Sequence, residues 1–467
     1  MKIISLINEF TNTFNETFTK NLNPLNLESK IRDIGDEFTL KLYEQFLNFL
    51  DDKFKNSKER KQYYNIKETR KRSLLTSIGY ITVNSTSYYS KDKDSHEYFV
   101  LLRSILNLKP YQRLTNEAEY QLVKYAMSEN MSQSARHALR NAEVHRSCVS
   151  RKLAKLDGSI IENIKRTDNQ PDTLYIEMDE IHANLQIGGN KICPCAIVHE
   201  GHINKKGKRK ELKNVRYFAS AILNYEQLWE VIFDYVNKRY DIDKFKFIFV
   251  SGDGAPGIKN YINCFPTAIF VLDKYHYKGK HLSYIFKDNT ALKKIADNYL
   301  RNDRLDDFKI LVKQQIKQYP YQEKCMIYHM NYLINNLEGI KNQTHPEYKC
   351  PCSMEGHVNQ AFARHITSSP FGFSLNGLNN KLKLLVYKAN KVNLTINDYY
   401  NLKYGTDSYE EINIKINKII NIKRDIKLLS MNNKEYKINT SKPIFDNFSD
   451  NNKLNELLSF RDIKYIY

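Results

Sequence analysis

Among its 467 residues the chain has no apolar run close to the roughly 20 residues that a membrane-spanning helix needs. Its opening residues, MKIIS, soon meet polar and acidic side chains, so the apolar core and cleavage site of a signal peptide are missing. The seven cysteines are an odd number spread over a long chain, which argues against a disulfide framework. These absences predict a soluble protein of the cytoplasm with reduced thiols.

The charge balance is strongly basic. Lys and Arg number 72 against 53 Asp and Glu, which gives a net charge of +19 and a pI near 9.3. A field of this sign attracts polyanions and makes nucleic acid the first candidate partner. An AT-rich genome would also enrich Lys, Asn, Ile and Tyr in any protein, so charge alone does not decide between these explanations.

The first 114 residues are predicted to be helical with one β-hairpin. Apolar positions from Ile4 to Phe54 recur at steps of three and four, as on the buried face of a helix. After a basic stretch that includes Arg70-Lys71-Arg72, residues 74–83 and 85–89 have the Thr, Val and Tyr content of a short hairpin.

Three helical patterns follow closely in residues 116–128, 132–140 and 144–156, and Thr115 and Ser132 are placed to cap the first two. This spacing predicts a helix-turn-helix unit over residues 115–166. A plain three-helix packing module is the alternative. The predicted DNA-binding residues of the last helix are His145, Arg146, Ser150, Arg151 and Lys152.

Strand patterns begin after the polar linker at residues 167–172. The segment from Leu174 to Asp179 is a predicted strand that ends on an acid, and residues 191–200 and 216–223 could add two more strands. A helix at 226–239 precedes the apolar strand 246–250, which runs into Gly252-Asp253-Gly254, and a further strand ends before Asp273. The pattern indicates a mixed α/β unit with carboxylates at strand ends.

Carboxylates at strand ends can hold two divalent metal ions for phosphoryl chemistry, because Mg²⁺ and Mn²⁺ prefer oxygen ligands. Asp179 and Asp253 fit this role. Taken singly, a strand-terminal aspartate is more often a turn or cap residue, so only the combination of acids supports a metal site. A third acid is needed, and the sequence offers four candidates: Glu323, Glu338, Glu347 and Glu355.

Several blocks resemble, in order, the ISLre-two family of bacterial insertion-sequence transposases, which belongs to the Mutator-like group. The blocks are YIEMDEIH at 175–182, VHEG at 198–201, GDGA at 252–255, FVLDKYH at 270–276 and CSMEGHV at 352–358, with LNLKPYQRL at 106–114 upstream. The resemblance covers most of the chain.

The resemblance implies a ribonuclease H-like α/β core whose Asp-Asp-Glu triad is Asp179, Asp253 and Glu355, with an all-helical insertion before the last acid. The separations of 74 and 102 residues leave room for that insertion. Asp273 and His276 match the Asp-x-x-His signature of the Mutator-like group, which lies near the active site, and His182 lies in a matched block as a supporting residue.

The implied organisation is a helical region with a β-hairpin (1–114), a helix-turn-helix domain (115–166), the first part of the catalytic core (172–276), a helical insertion (277–345), the rest of the core (346–386) and a basic Asn/Lys-rich C-terminal region (387–467). The paired cysteines at 193 and 195 and at 350 and 352 are too closely spaced for a usual structural zinc site.

These features predict a nucleoid-associated transposase that binds the terminal inverted repeats of its element and target DNA. It would cut and join DNA with two Mg²⁺ or Mn²⁺ ions held by the triad, as a homodimer or higher oligomer. Two alternatives stay open: a metal-dependent nuclease without strand transfer, and a decayed DNA-binding protein. The second is suggested by Gln360 and Ser369, which stand where His and Arg are expected.

Overall fold

The structure is a computed structural model that describes residues 3–20, 24–156, 164–203, 211–287, 289–367 and 372–404. All of these belong to one compact unit, Met1–Glu411. No helix in these ranges is both long and apolar enough to cross a membrane. Ser369 and residues 405–467 of the predicted C-terminal region lie outside the described residues.

The N-terminal region is helical and carries a three-stranded antiparallel sheet. Its elements are α1 Ile3–Lys20, α2 Leu27–Asn56, α3 Lys58–Tyr63, β1 Tyr64–Leu75, β2 Tyr80–Ser90, β3 Tyr98–Val100 and α4 Leu101–Leu106. A hairpin forms, but the predicted strands 74–83 and 85–89 were wrong, because the observed strands are β1 and β2. The turn lies at 76–79, where the Thr76 hydroxyl accepts hydrogen bonds from the backbone N–H groups of Ile78 and Gly79, so the basic run 70–72 belongs to β1.

Three short helices form near the predicted positions: α5 Asn116–Ala126, α6 Met131–His137 and α7 Arg146–Leu153. Thr115 caps α5, since its side chain accepts from the N–H of Ala118. The predicted cap Ser132 is wrong, because Asn130 takes that place and accepts from the N–H of Gln133 at 2.9 Å. Apolar side chains such as Leu122, Val149 and Leu153 form the shared core.

A five-stranded mixed sheet follows, in the order β10-β9-β4-β5-β8. Its region comprises β4 Thr173–Asn184, β5 Asn190–His199, β6 His202–Ile203, β7 Glu211–Leu212, β8 Arg216–Ala219, α8 Tyr225–Arg239, β9 Phe247–Gly252, α9 Pro256–Lys259 and β10 Ala268–Leu272. β4 pairs in parallel with β9, and β9 in parallel with β10, whereas β5 runs antiparallel to both β4 and β8.

The prediction that β4 ends at Asp179 was wrong. Parallel pairing of β4 with β9 stops at Glu177, but β4 continues with β5 alone as far as Asn184. The strand continues because β5 still offers it backbone partners after β9 has ended at Gly252. Asp179 therefore lies where β4 loses one of its two neighbours.

Helices dominate the segment between β10 and Glu355, as predicted. A π-helical turn, Tyr275–Leu282, opens the segment, and then come α10 Ser283–Phe286, α11 Thr290–Arg301, α12 Leu305–Gln318, α13 Glu323–Asn335 and α14 Leu337–Asn342. The last of these packs against β10 at Gly339, where a Cβ would come within 2.6 Å of the Phe270 ring.

The chain ends its described part with α15 Met354–Val358, α16 Arg364–Ile366, α17 Leu375–Ala389 and α18 Ile396–Tyr404, with a π-helical turn at Asn359–Ala363. Side-chain amides contact both outer strands of the five-stranded sheet. Asn342 and Gln343 donate to the carbonyls of Phe270 and Leu272 on β10, at 2.8 and 2.7 Å. Asn390 accepts from the N–H of Tyr217 on β8 and donates to its carbonyl, at 2.8 and 3.0 Å.

Candidate active site

Asp179 and Asp253 meet at one end of the parallel pair β4 and β9. Asp253 is the first residue after β9, and Asp179 lies two residues beyond the last β4–β9 pair. Each carboxylate is partly fixed by its own backbone: Asp179 Oδ1 accepts from the N–H of Glu180 at 2.8 Å, and Asp253 Oδ1 from that of Ala255 at 2.9 Å. Among the described residues no hydrogen bond reaches Oδ2 of either acid, so both retain an oxygen for a ligand.

The turn after β9 is closely fitted to the helical segment. Gly254 has a φ of +80°, and a Cβ there would lie 2.2 Å from the side-chain oxygen of Asn336 on the loop before α14. The hydroxyl of Tyr332 donates to the backbone carbonyl of Asp253. Residues of α13 and the loop after it thus hold the Asp253 turn from outside the sheet.

Glu355 reaches the same place from α15. Met354 and Val358 of this short helix are buried against side chains of β4 and β5, such as Ile181 and Cys195, while Glu355 stays exposed. The charge of Glu355 acts on Asp179, together with that of Asp253. Of the four candidate acids, Glu355 is therefore the one whose charge is among the main influences on Asp179.

Asp179 carries the electrostatic signature of this grouping. Burial raises the pKa of its carboxyl to about 6, and the negative charges of Glu355 and Asp253 add to the rise. The hydrogen bond from Glu180 and the charge of His276 act in the opposite direction. The raised pKa therefore reflects burial first and the neighbouring carboxylates second.

Asp273 and His276 line the same region. The N–H of Asp273, just after β10, donates to the carbonyl of Gly252 at 2.8 Å, and its Oδ2 lies 3.2 Å from His276 Nδ1. Burial lowers the pKa of His276, but the hydrogen bond and charge of Asp273, with the charges of Asp253 and Asp179, outweigh it and raise that pKa. Asp273, Asp253 and Asp179 therefore all favour the protonated form of this imidazole.

His182 is not brought to this group. It is exposed near the far end of β4, where its Nδ1 lies 3.5 Å from the amide nitrogen of Asn190 and its Nε2 lies 3.9 Å from Glu180. Glu180 itself accepts from the hydroxyl of Tyr225 at 2.6 Å. Because side chains alternate along a strand, His182 and Asp179 point to opposite faces of the sheet.

Glu177 is a residue of this region that the sequence reasoning missed. Its carboxylate is 1% exposed; Oε1 lies 3.0 Å from His199 Nε2, and Oε2 accepts from the backbone N–H of Ser353 at 2.8 Å. Ser353 directly precedes α15, so Glu177 ties the helix that carries Glu355 to the strand that carries Asp179. The available signal was an acid inside an otherwise apolar strand, two residues from Asp179 and on the same face.

The three acids supply the type of donor atom that a divalent cation needs. Partly free carboxylate oxygens are the ligands that Mg²⁺ and Mn²⁺ prefer, and a bound cation would offset both the burial and the repulsion between carboxylates that raise the pKa of Asp179. In the described ranges no three His, Cys, Asp or Glu side chains form a ready-made ligand cluster. Ligation by all three acids would therefore require their side chains to move closer together.

The predicted DNA-binding residues of α7 separate into two groups. His145, which caps the helix, and Arg146, Ser150 and Arg151 line cavities on its exposed sides. Lys152 instead forms an ion pair with Glu119, whose carboxylate is fully buried. The structure thus keeps four of the five residues at an open surface and assigns Lys152 to the contact with α5.

Comparison with known proteins places the chain among proteins without an assigned activity. The profile of the uncharacterised protein family UPF0236 matches residues 18–400. A UPF0236 protein of Caldanaerobacter subterraneus subsp. tengcongensis, whose name joins eleven locus tags, is 27% identical over 398 residues, 83% of this chain and 82% of its own length. A second UPF0236 protein of that organism is 28% identical over 395 residues, 83% of each chain.

Proposed function

The chain belongs to the uncharacterised protein family UPF0236, and from that premise we propose that it is a DNA transposase with Asp179, Asp253 and Glu355 as its catalytic carboxylates. It binds the ends of its own element through the α5–α7 unit, acting as a helix-turn-helix, and cuts and joins DNA on a ribonuclease H-like core. The mixed sheet with a helical segment between its second and third acids agrees with such a core.

The observation that carries the proposal is the convergence of three acids from distant parts of the chain. Asp179 lies on β4, Asp253 after β9 and Glu355 on α15, yet the charges of the last two raise the pKa of the first. By contrast, the buried carboxylate of Glu119 is paired with two cations, Lys152 and Lys403. In the described part of the chain, Asp179, Asp253 and Glu355 form no ion pair, and a group of acids with a raised pKa among them has the character of a functional site.

The chain's own residues would divide the work at this site. The free oxygens of Asp179 and Asp253 and the carboxylate of Glu355 would hold Mg²⁺ or Mn²⁺, which, when bound, activates an attacking oxygen and stabilises a leaving oxygen. The imidazole of His276, held by Asp273, would attract the phosphate that is to be cut when it is protonated. Glu177 would keep α15 and its Glu355 in register with β4.

The relatives add independent support. One UPF0236 protein of Caldanaerobacter carries eleven locus tags in its name, and another carries four. Many copies of one coding sequence in one genome are the expected result of an element that moves. The ordered motif blocks shared with ISLre-two transposases point to the same activity for this chain and to that narrower group.

The test is a strand-transfer assay with pre-cleaved duplex ends taken from the DNA flanking the gene, with Mg²⁺ or Mn²⁺ present. We expect the wild-type protein to join these ends to a target, and Asp253→Asn to lose joining by at least about a thousandfold, because the variant lacks one ligating charge. The matched control is Asp306→Asn, whose side chain is 96% exposed on α12 and which should keep full activity.

Three results would contradict the proposal in different ways. Hydrolysis of ends without joining would assign the protein as a metal-dependent nuclease. Full joining activity in Asp253→Asn would remove the catalytic role of the triad. Duplex binding without either reaction, in the presence of both metals, would identify a DNA-binding protein that has lost its catalytic activity.

A further inference from the structure

A second charged region lies apart from the carboxylates, between the N-terminal sheet and α7. It is a cleft of about 850 Å³ whose walls come from β1, α4, the loop after α4 and α7. We call it the basic cleft. Its charged lining residues are Lys71, Arg72, Arg103, Arg113, Arg151 and Glu143. Five cationic side chains face one carboxylate, a net formal charge of +4 with His145 taken as neutral.

The cations of the basic cleft are not neutralised by neighbouring carboxylates. None of the five forms an ion pair with a carboxylate in the described part of the chain, and the Nε of Arg103 is buried without any hydrogen-bond partner there. Partial burial lowers the pKa of Arg72, and the charges of Arg103 and Arg113 lower it further. Like charges that are held together despite partial burial and mutual repulsion indicate a site that binds an anion.

The cleft is held in shape by backbone contacts. The N–H of Leu75, at the end of β1, donates to the carbonyl of Arg113 at 2.8 Å, and the N–H of Thr115 donates back to Leu75 at 2.9 Å. Arg72 on the same strand donates to the carbonyl of Gln112 at 2.6 Å. These bonds fasten the loop that carries Arg113 to the strand that carries Lys71 and Arg72, so the cations are positioned before any ligand arrives.

The size and lining of the cleft favour a long polyanion over a small ion. A volume of about 850 Å³ is far more than one phosphate group requires, and the charges come from four separate chain segments. Tyr80 and Tyr111, 64% and 91% exposed, also line the cleft and offer hydroxyl donors to phosphate oxygens. Arg151 belongs both to this lining and to α7, the helix predicted to enter a DNA groove.

We propose that the basic cleft binds the phosphodiester backbone of double-stranded DNA, so that the β1–β2 hairpin and α7 hold the same duplex. The inference rests on the proposed function in naming duplex DNA as the ligand. It adds Lys71, Arg72, Arg103 and Arg113 to the DNA-binding surface, all from a region outside the helix-turn-helix. Phosphate contacts of this kind fix register and orientation and supply salt-dependent affinity.

The experiment measures binding of a fluorescent duplex, taken from the DNA flanking the gene, to the full chain over a range of salt concentrations. Arg103→Gln/Arg113→Gln is expected to weaken binding on the order of tenfold and to reduce the slope of log K against log salt by about two. The matched control, Lys313→Gln/Lys317→Gln, removes the same charge from exposed positions of α12 and should leave the slope unchanged. Since Arg103 is partly buried, the exposed single variants Lys71→Gln and Arg113→Glu repeat the test without disturbing the core.

Each outcome separates this inference from the proposed function. If all cleft variants keep the wild-type salt slope and normal strand transfer, the cleft does not bind DNA, and the transposase proposal is unaffected. If duplex binding depends on the cleft but the protein never joins ends, DNA binding by the cleft is supported and the transposase proposal is rejected. Stronger competition by RNA than by duplex DNA would overturn the assignment of DNA, and failure of the wild-type chain to bind any duplex would overturn both proposals.

Discussion

At the scale of single residues, Asp179 is placed where function and stability conflict. Its carboxyl is buried beside Glu355 and Asp253, and its pKa rises from an ordinary value near 3.8 to about 6. Between these two values the folded state binds more protons than the unfolded state, so stability decreases as pH rises through that window. The destabilisation by the charged Asp179 carboxylate is fully present above pH 6 and is absent below about pH 4.

Asp179→Asn is therefore expected to stabilise the protein at pH 7 while removing its activity. The gain in the free energy of unfolding should be about 1–2 kcal/mol after allowance for partial exposure, and it should vanish near pH 4. Urea unfolding of both proteins at the two pH values, without divalent metal, measures it. Equal stability of the two proteins at pH 7 would mean that burial and the neighbouring carboxylates do not disfavour the charged form of Asp179.

Residue-level reasoning from the sequence succeeded where the cause is local. The cap at Thr115 depends only on the next three residues, and it forms as predicted. Ser132 failed as a cap because Asn130, two residues earlier, is an equally good capping residue. The role of Glu355 depends on contacts more than 100 residues distant, so physical reasoning left it among four acids and only the resemblance selected it.

At the scale of elements, the link between β4 and α15 is the contact on which the proposed site depends most. One carboxylate oxygen of Glu177 forms a hydrogen bond with His199 at 3.0 Å, and the other accepts from the backbone N–H of Ser353 at 2.8 Å. All three groups are largely shielded from water. A glutamine has a single acceptor oxygen, so it cannot accept from both partners. One buried donor would then lose its bond.

Glu177→Gln should destabilise the protein by about 1–3 kcal/mol and also weaken Mg²⁺ binding, because α15 would lose its attachment next to Glu355. Ser353→Ala is the matched control: it removes the hydroxyl at 3.2 Å but keeps the backbone N–H, so both quantities should change little. Urea unfolding and Mg²⁺ titration give the two readouts. A Glu177→Gln protein that loses stability but binds Mg²⁺ normally would reduce Glu177 to a structural role.

The elements themselves were largely predictable, because strands and helices follow from local periodicity. The predicted strand at 246–250 and helix at 226–239 form within one or two residues of their expected ends. The predicted ends of strands were wrong where pairing with another strand determines how far the strand runs. β4 runs five residues past Asp179 because β5 accompanies it, and β1 begins at Tyr64 because β2 is long enough to pair with it.

At the scale of the whole molecule, the last described helix returns to the predicted DNA-binding unit. Glu119 of α5, fully buried, accepts from Tyr399 at 2.8 Å and pairs with Lys403 of α18 and Lys152 of α7. The hydroxyl of Tyr120 donates to the carbonyl of Leu394 at 2.8 Å. Residues near 400 and residues near 120 thus share one core, which sequence order alone could not indicate.

Glu119→Gln is expected to lower the free energy of unfolding by about 3 kcal/mol, because it leaves two lysines without their buried counter-charge. Burial raises the pKa of Glu119, but Lys403 and Lys152 outweigh it and hold that pKa below its ordinary value. The carboxylate therefore stabilises the fold above pH 4.5, and its contribution is lost as pH falls through the lowered pKa. Urea unfolding at pH 7 and in acid tests both statements, and an unchanged difference between wild type and variant at the two pH values would contradict them.

The two outer strands of the five-stranded sheet bear on how copies of this protein can associate. The side chains of Asn342 and Gln343 donate hydrogen bonds to carbonyls of β10. Asn390 forms hydrogen bonds with both the backbone N–H and the carbonyl of Tyr217 on β8. An open sheet edge is the usual template for intermolecular strand addition and for aggregation. Here amide side chains already cover part of each edge, which works against strand addition at these positions and favours assembly through helices and side chains.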